Sequence, residues 1–448
     1  MRFEGKKILV LGAGASGVSA AKFLSQRGAV VGIYDDQSKQ SIGEAIFVKS
    51  KECVEFEKFD MCIISPGVSI NHPIAKMFVG RIITELDLGF SIKSGKGRAK
   101  VRPSRRPVVA ITGTNGKTTV TKLIAKVLGK RAVMCGNVGV PVTSVAEQVR
   151  RKIAVTEVSS FMLEGSTSFV ADIGIVLNVT QDHLERHGDL QEYIRCKSRL
   201  AKVSRLRILN YDDEICRGMA NDNTLFFSIE HPVDGVFLRG RDIVYRRSKK
   251  TQHGSGGKEK IVGNLDDFAE SRPHAIANIL VTVLVCRLLK VQMRRVVWAY
   301  NQLRSGNARI QYVEHVGNVA FYNDSKATNV ASCLAACRCF VMPTNLIIGG
   351  QTKNQNFEEL FRKLPKTVEH VFCYGSGAVD IMAAAENMRF ANITKCKDLT
   401  DATMSAFEHG VGARIVLLSP ACASLDEFES YQHRGEMFTK VVKGLKDA

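Results

Sequence analysis

Short apolar runs that end in polar turns recur along the whole chain. They occupy positions 7–11, 30–34, 61–65, 108–112, 153–158, 173–179, 319–322, 346–348, 371–374 and 415–418. The runs at 7–11 and 108–112 each lead into a glycine-rich loop and then into apolar residues at helical spacing, over 18–24 and 118–128. Buried strands that alternate with helices are typical of parallel sheets covered on both faces. The pattern therefore predicts an α/β protein.

Length and charge suggest where the chain divides. A chain of 448 residues is long enough for two to four domains at about 100–200 residues each. Residues 91–107 carry seven bases and no acid, as a solvated linker does, and a helical stretch ends near 304–307. We therefore predict three α/β domains, over residues 1–100, 101–303 and 304–448.

The net charge of +19 raises the question of a nucleic-acid partner. Residues 91–107 contribute +7, and residues 239–260 contribute +6 through eight bases and two acids. Because both stretches contain glycine and serine, we interpret them as a linker and a surface loop, and we expect no nucleic-acid partner. The sequence holds no apolar run of the ~18–20 residues that a membrane helix needs. Its twelve cysteines include no C-x-x-C pair. We expect a cytoplasmic protein with reduced thiols and no membrane insertion.

The first glycine-rich loop, Gly12–Gly17, fits G-x-G-x-x-G directly after an apolar run, and Asp35 ends the next run. Such glycines let the backbone approach a pyrophosphate at a helix N-terminus. The loop is compatible with a nicotinamide cofactor, with a nucleotide-sugar diphosphate, or with a tight turn that binds nothing. The sequence of this loop alone leaves the three interpretations open.

The second loop, Thr112–Thr119, predicts an ATP site. It departs from the full P-loop pattern, since Ile111 stands where that pattern has glycine. Its backbone N–H groups can still hold phosphates, while Lys117 can reach the β- and γ-phosphates and the Thr118 hydroxyl can ligate Mg²⁺. Glu157 ends a later apolar run and is a suitable further Mg²⁺ ligand. His183 is a less usual ligand for this ion.

Five segments in this order resemble the Mur ligases of peptidoglycan synthesis. They are Thr112–Thr119, Glu157–Phe161, Asn178–His183, Asn323–Asn329 and Leu418–Asp426. The last two are similar to those of the members that add D-glutamate. The resemblance extends over almost the whole chain.

The resemblance implies a fold and a reaction. The fold would consist of a Rossmann-like N-terminal domain, a central P-loop-type ATPase domain with a parallel sheet, and a C-terminal Rossmann-like domain. The reaction would join D-glutamate to UDP-N-acetylmuramoyl-L-alanine with ATP through an acyl phosphate, in cell-wall synthesis during growth and division. Two Mg²⁺ ions, a carbamate on Lys197 and a monomeric protein are also implied.

The resemblance assigns residues to each part of the site. It assigns catalytic roles to Lys117, His183, Lys197 and Lys326. The residues that would contact ATP are Gly113, Thr114, Asn115, Gly116, Lys117, Thr118, Thr119, Asn278, Arg309 and Asp324. The UDP substrate would meet Gly14, Ser16, Gly17, Asp35, Ser65, Gly67, Asn137, Ser159 and His183. D-glutamate would meet Thr328, Lys353, Ser419 and Phe428. The metal ligands would be Thr118, Glu157, His183 and Lys197.

The sequence also departs from the family pattern at a few positions. Ala275 stands where the family has an adenine-side asparagine, Ala308 replaces a histidine, and Asp36-Gln37 differ beside the uracil site. The competing functions are a different Mur ligase, which Asn323–Asn329 argues against, and then a folylpolyglutamate synthetase, a dehydrogenase and a nucleic-acid-binding protein. Of these last three, two conflict with a glycine-rich loop. The first would leave the N-terminal loop unexplained, and the second would leave Thr112–Thr119 unexplained.

Overall fold

Three separate β-sheets organise the chain. The computed structural model describes residues 3–36, 46–47, 58–91, 106–247, 258–268, 270, 272–304, 310–353, 355–409 and 414–447. The chain forms two compact units, one of residues 1–179 and 191–301 and the other of residues 180–190 and 302–448. The first unit contains two of the sheets, and the second unit contains the third.

The N-terminal sheet of the first unit has five parallel strands in the order β3-β2-β1-β4-β5. The strands are β1 (Lys7–Leu11), β2 (Val30–Tyr34), β3 (Ile46–Phe47), β4 (Met61–Ile64) and β5 (Ile82–Thr84). The helices are α1 (Ala15–Ser25), α2 (Pro73–Lys76) and α3 (Glu85–Ser91). The chain crosses from one side of β1 to the other between β3 and β4, so the glycine loop after β1 lies at the switch point of the sheet.

The central sheet of the first unit has nine strands in the order β14-β13-β12-β11-β10-β9-β6-β8-β7. They are β6 (Val108–Thr112), β7 (Ala132–Gly136), β8 (Ile153–Glu157), β9 (Ala171–Val176), β10 (Ser204–Asn210), β11 (Thr224–Ser228), β12 (Gly235–Arg239), β13 (Asp242–Arg247) and β14 (Lys258–Asn264). The strands from β7 to β12 in this row pair in parallel, whereas β12, β13 and β14 pair antiparallel.

Helices cover the central sheet. They are α4 (Lys117–Leu128), α5 (Ala146–Arg151), α6 (Ser160–Glu164), α8 (Leu190–Lys202), α9 (Glu214–Arg217), α10 (Pro273–Leu288) and α11 (Met293–Arg304), with 3-10 turns at Gly129–Arg131, Thr143–Val145 and Leu265–Phe268. All five residues of β6 are buried, as expected of a strand at the centre of a covered parallel sheet.

Two buried carboxylates on α3 join the N-terminal sheet to the central one. Glu85 Oε1 accepts hydrogen bonds from the backbone N–H and the hydroxyl of Thr143, at 2.6 and 2.8 Å. The Asp87 carboxylate accepts the N–H groups of Ser168 and Phe169 at 2.9 and 2.8 Å, and further bonds from the same loop. These bonds fix the N-terminal sheet against the phosphate-binding domain.

The second unit contains a six-stranded sheet in the order β15-β16-β20-β17-β18-β19. Its strands are β15 (Gln311–Val316), β16 (Val319–Asn323), β17 (Thr344–Gly349), β18 (Val368–Tyr374), β19 (Ile393–Lys395) and β20 (Ile415–Ala421). Its helices are α7 (Leu184–His187), α12 (Val330–Cys337), α13 (Phe357–Lys363), α14 (Ala378–Asn387), α15 (Leu399–Glu408) and α16 (Tyr431–Asp447). Apolar clusters cover both faces of this sheet.

The α/β prediction is confirmed, with corrections. The expected surface loop at 239–260 is wrong for its described residues, because Asp242–Arg247 and Lys258–Asn264 pair as antiparallel strands. β15 also pairs antiparallel with β16, so the central sheet and the sheet of the second unit are mixed, whereas the N-terminal sheet is wholly parallel. The three sheets lie within the predicted domain ranges, whose limits stay predictions. No helix among the described residues has the length and apolar character needed to cross a bilayer.

Candidate active site

The phosphate-binding loop leaves the carboxyl end of β6, between β8 and β9, and ends at the N-terminus of α4. Gly116 has φ 85°, in the left-handed region, and a Cβ there would lie 2.8 Å from Asn278 Oδ1. The loop therefore needs glycine at this position, and it brings the predicted ATP residue Asn278 beside the phosphate site. The N–H groups of a twelve-residue helix begin at Lys117.

Asn178, two residues beyond the end of β9, fixes the phosphate-binding loop through three hydrogen bonds. Asn178 Oδ1 accepts the backbone N–H of Asn115 at 2.8 Å, and Asn178 Nδ2 donates to the Asn115 carbonyl at 3.1 Å. The N–H of Thr114 donates to the Asn178 carbonyl at 3.0 Å. Asn178 opens one of the five segments of the family resemblance, and this geometry gives it a positioning role.

Two lysines converge on one carbonyl of the loop. Lys117 Nζ donates to the carbonyls of Gly113 and Thr114 at 2.7 and 2.8 Å. Lys197 Nζ, on α8, donates to the Gly113 carbonyl at 2.8 Å and lies 4.5 Å from the centre of the Tyr193 ring. Lys197 is only 1% exposed. The structure thus places Lys197 directly against the phosphate loop, 84 residues after Gly113.

Glu157, the last residue of β8, offers a buried carboxylate oxygen. Its Oε1 accepts Asn137 Nδ2 at 2.9 Å, while its Oε2 is buried with no hydrogen-bond partner among the described residues. Taking a carboxylate out of water without a partner is unfavourable, and a hard cation with oxygen ligands would compensate that cost. The residues therefore fit Mg²⁺. Asn137, expected to contact the substrate, orients this carboxylate in the structure.

The N-terminal glycine loop has the tight geometry that its pattern predicts. Gly12 has φ 96°, and a Cβ on Gly17 would lie 1.8 Å from the Gly12 carbonyl oxygen. The Ser65 hydroxyl donates to that oxygen at 3.2 Å. Asp35 Oδ2 accepts the N–H of Ala13 at 2.7 Å, so this carboxylate supports the loop itself. Gly17 acts in close packing, as the third glycine of such fingerprints does.

Asp36, beside the expected uracil position, is also held in place. Its Oδ1 accepts the Tyr34 hydroxyl at 2.9 Å, and its Oδ2 lies 3.0 Å from His72 Nε2. Burial and the neighbouring Asp36 carboxylate both raise the pKa of Tyr34. Gln37 lies outside the described residues.

The start of α10 forms the other side of the expected nucleotide site. The buried Glu270 accepts Arg272 Nε and Nη2 at 2.8 and 2.6 Å, and it also accepts the Tyr300 hydroxyl. Burial raises the pKa of Glu270, but these hydrogen bonds outweigh burial and lower it to about 2. Ala275 is 8% exposed on the first turn of the helix. Arg309 and Ala308 lie outside the described residues.

In the second unit, the predicted residues follow three neighbouring strands. Asp324 follows β16, Ser419 lies within β20, and Lys353 follows β17. Ser419 is fully buried, and its hydroxyl donates to Asp324 Oδ2 at 3.1 Å. In this structure Ser419 therefore positions Asp324 and is not exposed to a ligand. Lys326 is exposed, with its Nζ 5.8 Å from the centre of the Tyr431 ring.

Asp182 links several predicted residues of the second unit. Asn329 Nδ2 donates to Asp182 Oδ2 at 3.2 Å, and Lys353 Nζ lies 3.7 Å from Asp182 Oδ1. His183 follows with φ 55°, its Nε2 3.7 Å from Asp182 Oδ2. Burial lowers the pKa of His183 despite the opposing Asp182 charge, which favours the neutral imidazole that can ligate a metal.

The remaining predicted contacts of the second unit flank this centre. Thr328 is half-buried beside Asn329, and Phe428 packs against the apolar cluster under α16, with its ring 5.8 Å from that of His433. The structure thus brings Asp324, Ser419, Thr328 and Lys353 to one end of this sheet.

Comparisons with known proteins agree with this geometry. Residues 6–83 match the family profile described as Mur ligase MurD-like, N-terminal domain, and residues 111–285 match Mur ligase middle domain. The UDP-N-acetylmuramoylalanine–D-glutamate ligase of Caldicellulosiruptor saccharolyticus is 32% identical over 99% of this chain and 100% of its own length. The enzyme of that name from Clostridioides difficile is 31% identical over 100% of both.

The chain belongs to the Mur ligase family.

Solved structures of other Mur-type ligases share the fold of this chain. A pseudomurein peptide ligase type C from Methanothermus fervidus gives a TM-score of 0.60 at 16% identity, over 99% of this chain and 100% of that one. UDP-N-acetylmuramate-alanine ligase from Thermotoga maritima gives 0.57 at 16%, over 98% and 99%. The predictions of the family, of the three-domain fold class and of an ATP-dependent ligase are confirmed.

One residue of this Mur ligase has a role that sequence reasoning missed. Arg434, on α16, is fully buried. It donates to the Ser325 hydroxyl and carbonyl at 2.9 Å each, to the carbonyls of Cys422 and Ala423 at 3.0 and 3.1 Å, and to that of Gly349 at 3.2 Å. One guanidinium thus ties together the segments that carry Asp324, Ser419 and Lys353. Nothing in the sequence around Arg434 indicated that it would be buried and would bind these carbonyls.

Proposed function

We propose that this Mur ligase adds D-glutamate to UDP-N-acetylmuramoyl-L-alanine with ATP, in the cytoplasmic stage of peptidoglycan synthesis. Full-length relatives at 31–32% identity carry the corresponding name. The structural observation that supports the proposal most is Glu157, whose Oε2 is buried without a hydrogen-bond partner in the described part of the chain and lies at the same end of the central sheet as the phosphate loop. That arrangement suits a γ-phosphate with its cation.

The first step would be attack of an L-alanine carboxylate oxygen on the γ-phosphorus of ATP, with ADP leaving. Charge gathers on the transferring group during this step. The N–H groups at the start of α4 and the ammonium of Lys117 are proposed to stabilise it, because both lie at the loop, where Lys117 Nζ now donates to the Gly113 and Thr114 carbonyls.

The second step would join the amino acid. The uncharged amine of D-glutamate attacks the carbonyl carbon of the acyl phosphate, the C–O bond to phosphate breaks, and the amine loses a proton. A free carboxylate would have to expel oxide, whereas phosphate is a workable leaving group. Thr328 and Lys353 are proposed to hold this substrate, with Ser419 acting through Asp324 and Phe428 covering its apolar side. Lys326 is proposed to act with Asp324 on the nucleotide.

Thr118 and Glu157 are proposed to hold one Mg²⁺ and His183 a second, with a carbamate on Lys197 as a further Mg²⁺ ligand. When bound, Mg²⁺ would act as a Lewis acid toward phosphoryl oxygens. Asn137 orients Glu157 through the 2.9 Å hydrogen bond to Oε1, and the Gly113 carbonyl receives Lys197 at 2.8 Å. Glu157 and Lys197 are therefore each held by a neighbour within the first unit.

The N-terminal domain is proposed to hold the UDP moiety. Gly14 and Ser16 lie where α1 begins, and Ser65 and Gly67 lie at and beyond the end of β4. Gly17 and Asp35 would act by shaping that loop, through the close approach to Gly12 and the bond from Ala13. Ser159, the N-cap of α6, accepts the Met162 N–H at 3.2 Å and is proposed to meet the muramoyl end.

Phosphate release measured with a panel of amino acids tests the proposed function. With ATP, Mg²⁺ and UDP-N-acetylmuramoyl-L-alanine, release should depend on D-glutamate and remain near background with L-glutamate, D-alanine or L-lysine. A Lys117→Ala variant should abolish release, while Lys130→Ala, an exposed lysine just beyond the same helix, should retain it. Release supported equally by L-amino acids, or by UDP-N-acetylmuramate in place of the alanyl substrate, would contradict the proposal.

A further inference from the structure

A basic groove lies at the far end of the central domain from the phosphate loop. It has a volume of about 530 Å³ and is lined by Tyr245, Arg247, Arg287, Leu288, Lys290, Val291, Gln292 and Met293. Three of these residues are cations and none is an acid. The Arg287 guanidinium lies 5.0 Å from the centre of the Tyr245 ring, which holds it in place at the wall of the groove.

The cations of this groove have no carboxylate partner among the residues that the structure describes. Within the described part of the chain, Arg247, Arg287 and Lys290 form no ion pair with a carboxylate. For Arg287 and Lys290 the sequence explains why, since residues 113–146 and 271–313 contain no aspartate or glutamate. Near Arg247, the carboxylates of Glu259 and Asp234 pair with Arg239 and Arg246 instead. These two acid-free segments include α4, α10 and α11, and they meet where Arg295 Nε donates to the Val127 carbonyl at 3.0 Å.

The groove is distinct from the ATP site. Asn278 contacts the phosphate loop at Gly116, and Arg287 lies nine residues later on the same helix. At 1.5 Å per residue this is about 14 Å along the helix axis. Neither the phosphates of ATP nor the proposed UDP substrate accounts for cations at this end of α10.

We propose that this groove binds a linear phosphate polyanion, the chemistry shared by a nucleic-acid strand and by inorganic polyphosphate. Three cations in one concave surface, none of them in an ion pair with a described carboxylate, focus a positive potential that attracts closely spaced negative charges. Two of the three are arginines, whose planar groups can bind a phosphate through two hydrogen bonds. The groove also accounts for part of the net charge of +19, which the ligands of the ligase reaction leave unexplained.

The only tryptophan of the chain can report on the groove. Trp298 lies on α11, five residues after the groove residue Met293, and is 49% exposed with Lys126 Nζ 5.3 Å from its ring centre. Two probes would be titrated into the full-length protein: a fluorescein-labelled oligo(dT) 15-mer, followed by anisotropy, and inorganic tripolyphosphate, followed by Trp298 fluorescence. All proteins would carry Lys117→Ala, so that phosphate binding at the ATP loop is weakened equally in each.

The decisive comparison uses two triple variants of equal charge. One is Arg247→Gln/Arg287→Gln/Lys290→Gln, and the control is Lys366→Gln/Lys395→Gln/Lys397→Gln, which removes three exposed cations from the second unit. We expect the groove variant to lose at least about tenfold in affinity. Its slope of log K against log salt for the oligonucleotide should fall by about 2, from the loss of three phosphate contacts at about 0.7 each. Circular dichroism should show both variants folded.

Each outcome has a defined meaning. Groove-dependent binding of both probes indicates a site that can accept a nucleic-acid strand, and groove-dependent binding of tripolyphosphate alone indicates a free polyphosphate ligand. The proposal is overturned if the control variant loses as much affinity as the groove variant, or if the groove variant binds both probes as the parent does. Equal competition by poly-L-glutamate would overturn the preference for phosphate.

Discussion

At the scale of single residues, the position of a side chain in the fold determines its chemical role. Lys197 is a helix lysine by sequence, yet its ammonium is buried against the Gly113 carbonyl and the Tyr193 ring. Lys202, five residues later on the same helix, is exposed. The two lysines therefore form a natural pair for separating a chemical role from a structural one.

Lys197→Arg should reduce turnover by at least about 100-fold while the protein stays folded. Arginine keeps a positive charge, but its guanidinium cannot form the carbamate proposed for Lys197. Lys202→Arg should leave turnover unchanged. Phosphate release and circular dichroism of both variants provide the measurement, and near-normal turnover in Lys197→Arg would remove Lys197 from the mechanism.

Ala275→Asn should lower the KM for ATP several-fold and leave kcat nearly unchanged. An asparagine can offer the adenine edge a donor and an acceptor, whereas alanine offers neither. One net hydrogen bond contributes about 0.5–1.5 kcal/mol, which is the basis for a several-fold effect. Ala277→Asn, half-buried on the same helix, is the control. Since Ala275 is 8% exposed, a raised KM would mean that the pocket is built around alanine.

At the scale of elements, charged groups hold the helices and loops that carry the site. The short helix α3 is anchored by Glu85 and Asp87, which bond to the loops around Thr143 and Phe169. Arg434 on α16 does the same for three loops of the second unit. In each case one side chain satisfies several backbone groups that would otherwise be buried without partners.

Asp87→Asn should destabilise the first unit by about 2–4 kcal/mol, because charge-assisted bonds to the N–H groups of Ser168 and Phe169 are weakened together. Asp60→Asn, at an exposed carboxylate of the same sheet, should cost much less. Urea unfolding followed by far-UV circular dichroism compares the two variants. Equal urea midpoints for the two variants would show that the Asp87 hydrogen bonds contribute little to stability.

The Glu270 carboxylate should make the free energy of unfolding depend on pH under acidic conditions. Its pKa in the folded protein is about 2, below the ordinary value of 4.5, so its stabilising contribution is present above pH 4.5 and is lost as the pH falls toward 2. That shift corresponds to a contribution on the order of 3 kcal/mol for this buried group. The stability difference between wild type and Glu270→Gln should therefore shrink between pH 5 and pH 2.5. A difference that stays constant over this range would contradict the shift.

At the scale of the whole molecule, the proposed reaction needs groups from both compact units. Lys117, Glu157 and Lys197 belong to one unit, and His183, Lys326 and Lys353 belong to the other. A reaction shared between two units of one chain commonly proceeds through a closure driven by substrate.

Small-angle scattering should show a smaller radius of gyration when UDP-N-acetylmuramoyl-L-alanine and a non-hydrolysable ATP analogue are both present. The same ligands should have less effect on a Lys117→Ala variant, whose nucleotide binding is weakened. An unchanged radius in the wild-type protein with saturating ligands would count against closure.

The sequence by itself determined the local features of the site. Ten of the strands, the two glycine loops and the residues that follow strand ends could be predicted because each depends on neighbours in the chain: the apolar pattern, glycine freedom and helix N-termini. Glu157 and Lys117 are of this kind, and the family resemblance added Lys197. The hairpin of β13 and β14 was missed because a run of bases is not distinguishable from a solvated loop until its strands pair.

Only the tertiary structure decided which distant groups act together. Arg434 meets Ser325 across 109 residues, and Asp87 meets Ser168 across 81. The basic groove forms because α10 and a hairpin arginine come together in the central domain. Such contacts depend on how sheets and helices pack. Packing brings together residues that are far apart in the chain and that show no regular spacing in the sequence. The same physical reason makes Ser419 a partner of Asp324, although its motif alone suggested a ligand contact.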